Sequence, residues 1–288
     1  MSTFIDFARA HGVEIDPARF YSSERIHRCG TVEKPRSGNG AWFWNGERGW
    51  VMNWAGDAKV IWFEDPNAKP LTAQERQDWF DKRRSEKVRQ NNKYSAAGRK
   101  AQEILDAAKY ETHAYLTIKG FPDEKGLVVD DKLLIPMRNV VTNKCQGFQQ
   151  IYWDAPNMKY EKKMMAGMMA KNAVWFMGDR SAPEAWLVEG YATGLSLHAA
   201  LRSVGLKASV VVCFSASNLV AVADQIKGRR YIYADNDVSL TGQKSAEQTG
   251  LPWTMSDTVG HDANDDNKQY GLFYVVKKIM ELRMKNRE

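Results

Sequence analysis

The sequence predicts an α/β protein: a parallel sheet flanked by helices, preceded by a mixed α+β basic subdomain and a small β-rich N-terminal module. Three observations predict it. Short apolar runs at 185–188, 208–214 and 231–234 alternate with helical patterns, and strands alternating with helices imply crossover connections and a parallel sheet. Two of those runs end abruptly in acid, at Glu189 and at Asp235-Asn236-Asp237. Upstream, the chain turns first basic and then tryptophan-rich with hairpin signals. The expected division is 1–71 for the β-rich module, 72–110 for a basic helical linker, 111–181 for the basic subdomain and 182–288 for the parallel sheet and a C-terminal helix.

At 288 residues with a formal charge of +6, the chain can bury a substantial core, and its charge favours an anionic partner. Cys29, Cys145 and Cys213 are far apart. No Cys-x-x-Cys pair signals zinc or a redox couple, and with only His27 and Cys29 close together no zinc is expected. There is no signal-peptide core and no membrane-length apolar run, so a cytoplasmic protein is expected.

Taken in order, residues 4–12 read as a short amphipathic helix stopped by Gly12. Asn45-Gly46-Glu47-Arg48 between two aromatic strands is a hairpin signal, and another strand is expected at 59–63. Six of the ten tryptophans fall before Phe80. They are either core or, at Trp42, Trp50 or Trp54, platforms for single-stranded nucleic acid. Thr72-Ala73-Gln74-Glu75 fits a capping box opening a long polar helix to about Tyr110, broken near Gly98. From Asp81 to Lys100 it carries eight basic residues against two acids, a surplus equal to the net charge of the whole chain. That surplus is either a solvated face or a phosphate-binding one, with Arg83, Arg84, Lys87 and Arg89 as the DNA-binding candidates.

Residues 115–120, 132–138, 147–153 and 173–176 read as strands. The methionines at 164, 165, 168 and 169 read as packing rather than a ligand box. Residues 271–287 read as an amphipathic helix with Phe273, Val276, Ile279 and Leu282 inward.

Three carboxylates at one sheet edge repel each other unless positive charge sits among them. Mg²⁺ suits such a place, since it takes oxygen ligands from one or two carboxylates plus substrate phosphates. Asp-x-Asp just past a strand lets two carboxylates reach one ion, and Gly190 would allow a sharp turn behind Glu189. Other chemistries are excluded. Leu240 and Ala246 stand where an EF-hand from Asp235 needs Gly and Glu, the run around Ser196 lacks the second glycine of a nucleophile elbow, and no P-loop occurs.

The Glu189-Gly190 pair, followed two strand and helix units later by Ala234-Asp235-Asn236-Asp237, resembles the Toprim domain of DnaG-type primases, topoisomerases and some nucleases. The order Leu134-Ile135-Pro136-Met137-Arg138, then Gln149-Gln150-Ile151, then a Lys before Gly167, resembles the segment upstream of Toprim in plasmid- and phage-type primases. That resemblance implies Glu189, Asp235 and Asp237 as catalytic residues and ligands of Mg²⁺ or Mn²⁺. It also implies Lys119, Arg138, Gln150 and Lys163 as a wall holding nucleotide and template. Gly260-His261-Asp262-Ala263-Asn264-Asp265 looks like the Asp-x-Asn-Asp that ends the primase core, which makes Asp262 and Asp265 further candidate ligands; the alternative is a solvated acidic turn. The implied function is a DNA primase making short RNA primers on single-stranded DNA from NTPs by two-metal nucleotidyl transfer. It would serve a phage or plasmid replication system in the host cytoplasm, with a separate replicative helicase as a further partner. The alternatives are a Toprim metal-dependent nuclease and an inactive nucleic-acid-binding accessory protein.

Overall fold

The computed structural model describes residues 3–56, 59–63 and 72–286, with backbone alone at 75 and 76. The chain divides into two compact units, Met1–Arg83 and Arg84–Glu288. The boundary falls inside the basic helix rather than before it, and the segments expected as separate at 111–181 and 182–288 lie in one unit.

The first unit contains α1 (Phe4–Ala10), β1 (Val13–Glu14), β2 (His27–Thr31), β3 (Gly40–Trp44), β4 (Gly49–Asn53) and β5 (Val60–Phe63). Thr3 and Asp6 close a reciprocal capping box at the start of α1, satisfying two of the free N–H groups of its first turn. The five strands form one antiparallel sheet in chain order. In the hairpin turn the Asn45 side chain accepts from the N–H groups of Glu47 and Arg48. Phe4, Ala8, Val13, Ile15, Trp42 and Val51 make the core, so Trp42 is a packing residue.

Then come α2 (Ala73–Asp106), β6 (Lys109–Thr112), α3 (Ala114–Ile118), β7 (Lys125–Val129), β8 (Lys132–Asn139), β9 (Cys145–Asp154), β10 (Lys159–Met164) and β11 (Ala173–Met177). The chain continues through β12 (Glu184–Val188), α4 (Tyr191–Ser203), β13 (Ala208–Val212), α5 (Ala216–Ala223) and β14 (Arg229–Ala234). It ends with α6 (Thr241–Thr249), β15 (Trp253–Met255), α7 (Ala263–Tyr270) and α8 (Leu272–Lys285). Among the described residues no helix is long and apolar enough to cross a membrane.

Three expectations are corrected here. α2 runs unbroken through Gly98, because the missing side chain is needed for close packing: a Cβ there would lie 2.5 Å from the Cys145 carbonyl oxygen. Residues 115–118 form helix α3 rather than a strand. His113 caps its start by accepting from the Tyr115 N–H, and Tyr115 and Leu116 are adjacent and both buried, which strand alternation would forbid. In α8 the inward residues are Val275, Val276, Ile279 and Leu282, while Phe273 is 80% exposed. Counted from Ile279 at 100° per residue, Phe273 falls outside the stripe and Leu272 inside it. The capping box expected at Thr72–Glu75 lies outside the described side chains, as does the end of the last helix at Arg287.

Strands β6 to β15 make one ten-stranded sheet. β12, β13, β14 and β15 run parallel, while β11 is antiparallel to β13 and joins them to the antiparallel half through β8. One face packs Leu133, Ile135 and Ile151 together with Trp186, Val188, α4 and α8. On the other face Leu134 and Phe148 pack on Ala101 and Leu105 of α2, and Leu187 and Ile232 pack on α5 and α6. Each fully buried aliphatic side chain contributes about 1.5–3 kcal/mol. At the far end from the acids, Glu184 accepts from the Trp186 indole at 2.8 Å and pairs with Arg283 of α8 at 3.1 Å, fixing α8 across the sheet.

Candidate active site

The central strand β12 lies between β13 and β14. The helices after β12 and β13 go to opposite faces, α4 to one and α5 to the other. A sheet that winds both ways opens a crevice at the carboxyl ends of its strands where the winding reverses. Glu189 follows β12 and Asp235 follows β14, so adjacent strands deliver both acids to that crevice.

The surrounding loops are held by main-chain bonds. Phe214, at φ +65, donates its N–H to the Glu189 carbonyl at 2.9 Å. A left-handed backbone at a non-glycine residue costs energy and is kept where neighbours enforce it. Asn236, between the two aspartates, points the opposite way and donates to the Ser256 carbonyl at 3.1 Å, while its own carbonyl accepts from Gly260. Gly242 of α6 sits on the Asp235 backbone, where a Cβ would lie 2.3 Å from the carbonyl oxygen. Gly190 has an ordinary φ of −99°, so the turn from β12 into α4, made within two residues, needs no left-handed glycine. The space a side chain would occupy belongs to the Thr193 hydroxyl, 3.1 Å from that Cβ position.

The acids have different surroundings. Asp235 keeps one carboxylate oxygen, Oδ1, fully buried without a hydrogen-bond partner. Burial, followed by repulsion from Asp262 and Glu189, pushes its pKa up to about 7. Glu189 is raised by burial and by Asp237. Asp237 is lowered: the Ser239 hydroxyl donates to it, and so do the N–H groups of Thr241 and Gly242 at the start of α6. Asp262 is the N-cap of α7, accepting from the N–H groups of Asn264 and Asp265, and it also accepts from the Thr193 hydroxyl at 2.9 Å. Asp265 closes that capping box by accepting from the Asp262 N–H. The acidic run at 262–265 is therefore a helix start and not a solvated turn. Asp-x-x-Asp is the capping-box spacing, a signal the sequence reading passed over.

Among the described residues no three His, Cys, Asp or Glu side chains form a ready metal cage. Asp237 and Asp262 are turned to helix ends, which leaves Glu189 and Asp235 as the two acids at adjacent strand ends. A hard divalent cation fits this pair, because Asp235 offers a buried oxygen with no competing donor and Mg²⁺ is ordinarily held by one or two carboxylates.

Lys162 of β10 faces the acids. It is solvent-exposed but crowded; burial and the nearby Lys119 lower its pKa, while Asp262, Asp235 and Glu189 act the other way. Its ammonium lies 5.9 Å from the centre of the Tyr115 ring. The resemblance implies the neighbouring Lys163 for this role, but the strand register places that residue elsewhere. In the β10 and β9 register Lys162 is opposite Ile151 and Lys163 opposite Gln150, and directly paired residues share a face. Ile151 belongs to the core under α4. Lys163 and Gln150 lie on the α2 face, where the Lys163 ammonium is 5.5 Å from the centre of the Tyr152 ring and Arg138 donates to Gln102 of α2 at 3.0 Å. Of the expected wall, Lys119 stands near the acids, whereas Arg138, Gln150 and Lys163 are on the opposite face. Period-two counting from the core residue Ile151 would have selected Lys162.

Arg83, Arg84, Lys87 and Arg89 are exposed on α2, and Arg83 stacks over Trp79 at 4.7 Å.

No family model matches the chain, and no curated protein matches it. Among solved structures, one described as the structure of the DnaG catalytic core is similar, with a TM-score of 0.37 and 14% identity over 64% of this chain and 68% of that chain.

Proposed function

We propose that the chain is a Toprim-type DNA primase that makes short RNA primers on single-stranded DNA in a phage or plasmid replication system. The observation that carries this reading is the crevice itself: Glu189 and the half-buried, unpartnered carboxylate of Asp235 on one side, Lys162 and Lys119 opposite. Glu189 and Asp235 would hold Mg²⁺ or Mn²⁺, which supplies charge neutralisation for phosphoryl oxygens. Lys162 and Lys119 bind and orient the triphosphate of an incoming NTP. Asp262 and Asp237 hold the starts of α7 and α6 against the crevice, so the acids are placed before substrate arrives. Phosphoryl transfer needs chiefly such positioning and charge compensation. The basic segment of α2, with Arg83, Arg84, Lys87 and Arg89, holds the template backbone through its phosphates. The setting would be the host cytoplasm, with a separate replicative helicase delivering the template.

A nuclease using the same acids is the second reading, and one observation favours it. With Arg138, Gln150 and Lys163 facing α2, the wall opposite the acids has fewer cations than nucleotide and template together would use. The two readings separate when labelled NTPs with unlabelled single-stranded DNA, and labelled DNA or RNA without NTPs, are incubated in parallel with Mg²⁺ or Mn²⁺. New oligoribonucleotides support the primase. Shortened labelled strands with no synthesis support the nuclease.

A further inference from the structure

At the opposite end of the parallel strands from the acids, beside the end of α5, lies a cavity of about 260 Å³. Its floor holds Ala185 of β12 and Ser209 of β13, which are paired in register. Ser209 stands two residues before Val211, whose side chain packs on the α5 side of the sheet, so alternation turns the Ser209 hydroxyl to that same side. Ser209 is 1% exposed, and its hydroxyl has no hydrogen-bond partner. A buried hydroxyl left unpaired costs stability, and one kept in a cavity floor is a group waiting for a partner.

The rest of the lining sorts by polarity. Phe176, Val140 and Ile226 make apolar walls, while Arg180 and Lys227 stand at the exposed rim, and no carboxylate lines the cavity. The Arg180 guanidinium is fixed in place: it lies 4.4 Å from the centre of the Phe176 ring and donates to the Val140 carbonyl at 2.9 Å and to the Asn143 side chain. Both of those acceptors are neutral. Burial and the nearby Arg138 disfavour its charge, so the rim holds a cation that nothing on the chain compensates.

We propose that this cavity binds a small organic anion: a single ring with a carboxylate or phosphate on one side and a hydrogen-bonding group on the other. The size follows from the volume, which falls just below the roughly 300 Å³ at which pockets for drug-sized ligands begin. The ring lies between the apolar walls, its acid meets Arg180 and Lys227 at the rim, and its polar group reaches Ser209 on the floor. Glu189 is four residues along β12 from Ala185, about 13 Å at the rise of a strand. The site is therefore separate from the acidic crevice, and the proposal holds whether that crevice synthesises or cuts.

The test titrates the full chain, with metal removed by chelation, in a calorimeter with benzoate, phenyl phosphate, 4-hydroxybenzoate and the neutral 4-hydroxybenzyl alcohol. Binding of benzoate or of phenyl phosphate shows which acid the rim takes. 4-Hydroxybenzoate should bind about 2- to 10-fold more tightly than benzoate, through its bond to Ser209, and the neutral alcohol at least about 10-fold more weakly than 4-hydroxybenzoate. Ser209→Ala should erase the difference between the two benzoates without lowering the melting temperature of the free protein, because the hydroxyl it removes is unpaired. Arg180→Gln and Lys227→Gln should each weaken the acids about 10-fold, with Arg180→Lys retaining part of the affinity. Lys162→Gln, in the crevice, should change nothing. No heat from any of the acids at millimolar concentration would overturn the proposal. So would equal affinity of the wild type for benzoate and 4-hydroxybenzoate, or binding that is lost in Lys162→Gln, which would put the anion in the crevice.

Discussion

The hydroxyl of Thr193 donates to Oδ2 of Asp262 at 2.9 Å, joining the first turn of α4 to the first residue before α7. Thr193 is buried, and its bond ties together the two helices that flank the acidic edge. Thr193→Val keeps the shape and removes the donor, leaving Asp262 short of a partner. The expected cost is about 1–3 kcal/mol, measured by urea unfolding, with Thr193→Ser recovering most of it. A Val variant as stable as wild type would show that the bond positions nothing.

Gly242 gives a sharper test of placement. Any side chain there collides with the Asp235 carbonyl, so Gly242→Ala should move Asp235 while touching no substrate. A displacement of about 1 Å costs on the order of 100-fold in rate. Full activity in Gly242→Ala would mean that the position of Asp235 is immaterial.

The raised pKa of Asp235 has a consequence for stability. The unfolded carboxyl titrates near 3.8 and the folded one at about 7, so the folded state binds the proton more tightly. The penalty for ionising Asp235 therefore begins as pH rises above the unfolded value and is complete above about 7. Without metal, Asp235→Asn should raise the melting temperature at pH 8 and leave it nearly unchanged at pH 3.5. Added Mn²⁺ should raise the wild-type melting temperature at pH 8 and have less effect on the variant. A variant that is no more stable at pH 8 than at pH 3.5, relative to wild type, would contradict the buried-charge argument.

On α2, replacing Arg83, Arg84, Lys87 and Arg89 together with Gln should weaken nucleic-acid binding and flatten its salt dependence, since fewer counterions are released. An unchanged slope would make this helix a solvated surface.

The parallel sheet and its acidic edge were legible because apolar runs ending in Glu189 and Asp235 carry period and charge together. The basic wall was legible only in composition. Choosing between Lys162 and Lys163 takes one step of alternation, and that step is fixed by which neighbour of β9 is buried, a tertiary fact. The antiparallel strand β7 was missed because Lys125-Gly126-Leu127-Val128-Val129 is short and carries a glycine at its second position. The buried polar network around Asp266, which accepts from Tyr233, Ser256 and His261, had no local signal. Its partners come from three separate stretches of chain. The fully buried Asp266 was indistinguishable in sequence from the half-buried Asp262 and Asp265 beside it.

The central claim is that the acids and Lys162 form one site for joining nucleotides. It is tested most directly by primer-free synthesis from labelled NTPs on varied single-stranded DNA templates with Mg²⁺ or Mn²⁺, comparing wild type, Asp235→Asn, Lys162→Gln and Lys163→Gln. The expected result is short oligoribonucleotides from wild type and Lys163→Gln, none from Asp235→Asn, and a fall of at least about 100-fold in Lys162→Gln. Product from Asp235→Asn at the wild-type level, or equal losses in the two lysine variants, would contradict it.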